Sequence, residues 1–237
     1  MKHPFRSHFL PLFPIAAGLV GLLLRVWLFS AIDEKGLLPA VHFADTALYI
    51  LTAITLGVLF LSSRNFTSCS VSKSFFPLIP ALGCLLGGIG MLLAGFIHQS
   101  VRFSGISSAV CLTGGLVLLI MAVLEYFRKK IPYGFPAVLT VTLMLDTIVQ
   151  CQNWGKLPQL QAYFFSLMAC VFLILSAYHI TLHVAGSGKP SLLAFFSQSA
   201  IFFCFTCLNT NRWFLYLGLL FWVATSLYSW VHKEKEA

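Results

Sequence analysis

The sequence predicts an all-α, polytopic transmembrane helix bundle of about eight spans. Three observations predict it. Only 9% of residues are charged, against about 25% in soluble domains. Hydrophobic residues make up 59% of the chain and the mean hydropathy is +0.90. Apolar runs of membrane-crossing length recur from end to end, and they are continuous rather than alternating, which sets a β-barrel aside. In lipid such runs satisfy their backbone groups only as helices.

The remaining composition fits that class. The net charge of +8 comes from basic residues scattered through short loops; membrane topology explains them better than nucleic acid does. The seven cysteines lie mostly inside apolar runs and read as small buried hydrophobes, not as a disulfide framework.

The first span is expected from Pro11 to Ala31. It begins like a signal peptide, but Arg25 interrupts it and no small-x-small cleavage site follows, so it reads as an uncleaved helix. Gly18, Gly21 and Arg25 share one face, so a neighbouring backbone can come close beneath the arginine. The second span is Phe43 to Leu61, with Asp45 in its first turn, where a carboxylate complements the helix N-terminus. The loop after it holds Asn65-Phe66-Thr67, a sequon set aside because the loop is placed in the cytosol. The third span, Phe76 to Ile97, carries Gly83, Gly87, Gly90 and Ala94 as a small-residue stripe and is expected to be a central, tightly packed helix.

The fourth span runs from Ser107 to Tyr126 and ends in Glu125, close enough to Arg128 and Lys129 for local pairing. The fifth, Phe135 to Asn153, places Thr142, Asp146, Gln150 and Asn153 on one face. A carboxylate at membrane depth is costly, so Asp146 must face a partner or a wet cavity. The sixth span is Leu160 to Leu182, the seventh Ser191 to Leu208, and the eighth Trp213 to Val231, with aromatic anchors at both ends. Ten loop and terminal Lys and Arg residues fall on the side of the termini and four on the other. This favours both termini in the cytoplasm.

Gly36-Leu37-Leu38-Pro39 and Gly155-Lys156-Leu157-Pro158 lie 119 residues apart. They suggest two four-helix halves, 1–130 and 131–237, within a single transmembrane domain and related as a parallel repeat. That register brings Arg25 and Asp146 to similar depth and predicts that they pair directly or through water. The ordinary reading of such a pair is a clamp that fixes helix register.

Other patterns are weaker. His179 and His183 have a chelating spacing, yet without a third ligand they read as interfacial histidines. Cys204 and Cys207 form a C-x-x-C inside a span, more simply two buried thiols. Gly186-Ser187-Gly188-Lys189 lacks the spacing of a phosphate loop and reads as a turn. Asp45, His98, Gln99, Gln150, Gln152, Asn153, Asn209 and Arg212 form an outward polar cluster that suits a small solute or ion, or equally the ordinary wet end of a bundle, the simpler reading for those nearest the loops. No catalytic set, cofactor motif or metal motif emerges.

The segments Asp33-Glu34-Lys35-Gly36-Leu37-Leu38-Pro39, Pro158-Gln159-Leu160-Gln161-Ala162-Tyr163 and Ala177-Tyr178-His179 resemble those of uncharacterised multi-pass inner-membrane proteins of anaerobic Gram-positive bacteria. The likeness covers mainly spans 1–2 and 5–6. It implies a bacterial cytoplasmic-membrane location and no particular activity.

The leading functional expectation is a small-solute or ion transporter or binding subunit. Its site is expected at Arg25, Asp45, Asp146 and Gln150, in the outward half. Its expected partners are the lipid bilayer and, since no nucleotide motif is present, either a separate energising or partner subunit or a coupling ion; nucleic acid is not one. The alternatives are a structural or assembly subunit and an intramembrane enzyme.

Overall fold

A computed structural model describes residues 12–32, 42–64, 78–97, 104–154 and 161–231. Helices are the regular secondary structure of the described residues, without strands. The eight helices are α1 (Leu12–Ser30), α2 (Phe43–Ser63), α3 (Leu78–Ile97), α4 (Ser104–Tyr126), α5 (Gly134–Trp154), α6 (Gln161–Val184), α7 (Pro190–Thr206) and α8 (Trp213–Val231). Each falls within a few residues of an expected span. Helices α1 to α6 are long and apolar enough to cross a membrane, which makes the chain an integral membrane protein. Helix α7 has 17 residues, one fewer than its expected span, and α8 covers its expected span, Trp213–Val231. The Gly36 and Gly155 motifs, the Asn65 sequon, and His98 and Gln99 lie outside the described residues.

Local chemistry sets the helix ends. The His42 side chain accepts from the Ala44 amide at 3.2 Å and caps α2, with Asp45 in the first turn as the dipole favours. Pro190 opens α7, where its missing N–H is not needed. Gly186, with φ of +82°, turns the chain between α6 and α7, a conformation glycine adopts at no steric cost.

Helices α3, α4, α5, α6, α7 and α8 form a closed ring, each packed on the next and α8 returning to α3. Helices α1 and α2 pack on each other and on α7. Helices α3 and α4 thus sit beside α8 and α5, and α1 and α2 beside α7. The α3 glycines act as anticipated, and on two faces. A Cβ on Gly90 would lie 2.6 Å from the Phe214 carbonyl oxygen and 2.9 Å from the Gly218 Cα of α8. A Cβ on Gly88 would lie 3.0 Å from the Gly115 carbonyl oxygen of α4. The α1 glycines also pack as expected, with Gly18 against Phe202 and Phe205 and Gly21 against Thr206, all on α7. The ring interior is filled by Met91, Leu118, Leu139, Leu219, Trp222 and their neighbours.

Candidate functional site

The polar stripe of α5 is real: Thr142, Asp146 and Gln150 are all buried. The Asn153 side chain lies outside the described residues. Asp146 meets a cation, but not the expected one. Arg212, in the turn between α7 and α8, donates from Nη1 to Asp146 Oδ2 at 2.7 Å and from Nη2 to Oδ1 at 3.0 Å. This two-pronged geometry is the strongest that a carboxylate and a guanidinium form. Ser107 Oγ of α4 donates to Asp146 Oδ1 at 3.1 Å. The thiol of Cys111, one turn further along α4, lies 3.6 Å from the same oxygen and 3.3 Å from Arg212 Nη2. The pair is 7% and 4% exposed, so it lies where water screens it little.

Arg25 is turned to a different purpose. Its Nη1 donates to the Thr206 carbonyl oxygen at 3.3 Å and to Cys207 Sγ at 3.1 Å, and its Nη2 to Ser166 Oγ of α6 at 3.4 Å. It also lies over the Phe29 and Phe165 rings. The guanidinium thus caps the C-terminus of α7, where unsatisfied carbonyls attract a cation. The direct Arg25–Asp146 pair expected from the sequence is not formed. The parallel packing of α1 on α7 delivers Arg25 to the end of α7, and the turn after α7 brings a second arginine to Asp146.

These groups belong to one buried layer. Arg212 is followed one turn later by Tyr216 of α8, whose hydroxyl lies 3.8 Å from Cys170 Sγ of α6. The layer lies about 7 Å below the end of α1, because Arg25 precedes Ser30 by five residues. It lies about 12 Å below the end of α5, because Asp146 precedes Trp154 by eight. The α7–α8 turn is recessed accordingly. Cys207 and Arg212 are buried there, whereas Asn209 and Asn211 are exposed.

Asp45 is half-buried in the first turn of α2, and Gln150 sits one turn beyond Asp146. Cys204 and Cys207 are free and fully buried thiols. His179 stacks on Phe196 at 4.9 Å, and His183 is buried beside it. Among the described residues no three His, Cys, Asp or Glu side chains come together as a metal-binding group. Ser107, Cys111, Ser166 and Tyr216 escaped the sequence reading, and Arg212 was noted only among the polar residues of the outward end, not as the partner of Asp146. Arg212 stands beside a loop, where a charge ordinarily meets water, and the neutral residues carry no pattern of their own. Searches of family models, curated proteins and solved structures return no match to the chain.

Proposed function

We propose that this chain is a small-solute transport protein of a bacterial cytoplasmic membrane, with both termini in the cytoplasm. In this reading the Arg25–Asp146–Arg212 layer closes the outward side. One observation carries it: six of the eight helices contribute to a single buried charged layer beneath a recessed turn. Charges held at such depth, facing the bundle interior, ordinarily belong to a solute or ion pathway. In this reading the protein draws on an ion gradient or a separate subunit. The tightness of the Asp146–Arg212 pair favours a second reading, a structural subunit in which the layer only locks helices together.

Thiol accessibility separates the two. In cells carrying the Cys151→Ser protein, Asp146→Asn is expected to expose Cys111 and Cys207 to a membrane-impermeant maleimide well below the unfolding temperature. If both thiols stay unreactive until the protein unfolds, the layer is a lock and not a gate.

A further inference from the structure

A second group of buried polar side chains lies away from the charged layer, where α1, α2 and α7 meet. Gln198 and Ser199 of α7 are 0% exposed and Thr55 of α2 is 1% exposed. Neither amide atom of Gln198 has a hydrogen-bond partner, nor has Ser199 Oγ or Thr55 Oγ1. Buried amides and hydroxyls are nearly always paired, so four unpaired atoms call for an explanation.

Register places all three residues in one junction. Phe205 and Thr206 pack on Gly18 and Gly21 of α1. Gln198 and Ser199 precede them by seven residues, two turns down the same face. Helices α2 and α7 run antiparallel, and Phe60 meets Phe195 with ring centroids 5.9 Å apart. Five residues back along α2 and five forward along α7, Thr55 comes level with Ala200, beside Ser199. On the α1 side, Gly21 marks the level of Thr206, so the buried Pro14 stands level with Ser199. Proline has no N–H to offer these atoms. The other nearby hydroxyl, Thr52 Oγ1, is spent on the Leu48 carbonyl of its own helix at 2.8 Å. By contrast Ser197, one position before Gln198, turns the other way and meets Ser176 of α6 at 3.0 Å.

We infer that Gln198, Ser199 and Thr55 form the binding position for a small uncharged solute bearing both hydrogen-bond donors and acceptors, such as a polyol. The amide offers two donors and an acceptor, and each hydroxyl offers one donor and accepts in turn. These three side chains carry no charge, so they match a neutral molecule. The inference rests on the transport reading and adds to it the place and class of the solute, deeper in the bundle than the charged layer.

The test uses the full chain in proteoliposomes, with glycerol as the probe and uptake followed by stopped-flow light scattering. Wild-type vesicles are expected to take up glycerol at least tenfold faster than protein-free vesicles. Gln198→Met and Thr55→Val should each cut that excess at least fivefold, with unchanged or higher thermal stability as evidence of folding. Ser176→Ala, on α6 against Ser197, should leave uptake unchanged. Wild-type uptake equal to that of protein-free vesicles, or undiminished uptake in both variants, overturns the assignment. The transport reading stands or falls separately, on the exposure of Cys111 and Cys207 in Asp146→Asn.

Discussion

Replacing Asp146 by Asn changes a charge and little volume, and so isolates the electrostatic content of the layer. Two charge-assisted hydrogen bonds from Arg212 weaken, and the guanidinium stays buried without its counter-charge. Breaking a buried pair from one side costs about 3–5 kcal/mol, because the surviving charge keeps its desolvation penalty. For a chain of this size each kcal/mol corresponds to about 2–4 °C in Tm, so the midpoint should fall by about 6–20 °C. Buried thiols supply the assay. Cys84, Cys111, Cys170, Cys204 and Cys207 are buried, so a thiol-reactive fluorogenic dye reports unfolding in detergent directly. The double variant Asp146→Leu, Arg212→Met removes both charges, and the same reasoning returns its stability to within about 1–2 kcal/mol of the parent. A single variant that melts within 2 °C of the parent, or a double variant no better than the single one, would refute the account.

Four further outcomes follow from the geometry. Gly90→Ala should lower stability by at least about 1–3 kcal/mol, since its Cβ would meet backbone 2.6 Å away. Gly57→Ala, with nothing within 4 Å, should be neutral or gain up to about 1 kcal/mol from helix propensity; both are read by the same thermal assay. Gln198→Met, in solute-free detergent, should raise stability by about 1–3 kcal/mol, because two unpaired buried atoms disappear. Cys151 is the exposed member of the described cysteines. Membrane-impermeant maleimide added to intact cells should label it before any other described cysteine if both termini are cytoplasmic, and should miss it in the opposite orientation.

Much of the fold was legible because lipid narrows the choices. Helix positions followed from apolar runs, and the packing faces of α1 and α3 from glycines one and two turns apart. Asp146 was legible as a residue in need of a partner, since an isolated carboxylate is untenable at that depth. Its partner was not. Sequence spacing places residues along a helix, whereas Arg212 reaches Asp146 through the dip of a turn, a property of three-dimensional packing. Arg25 illustrates the converse. Its glycine seam was read correctly, but what lies against that seam is the end of α7, and a helix end is as good a partner for a guanidinium as a carboxylate. Gln198 carried no signal, because a single amide in an apolar run looks the same whether it is paired or not.

The double-sided glycine face of α3 also bears on how the protein is made. Helix α4 follows α3 at once and can cover one face as the two leave the ribosome. The other face waits for α8, synthesised after every other described helix, and until then Gly83, Gly87 and Gly90 stand against lipid or a provisional neighbour. A chain stopped near residue 212 should therefore insert six or seven helices yet leave this groove open, a mark by which membrane quality control could tell an unfinished molecule from a finished one.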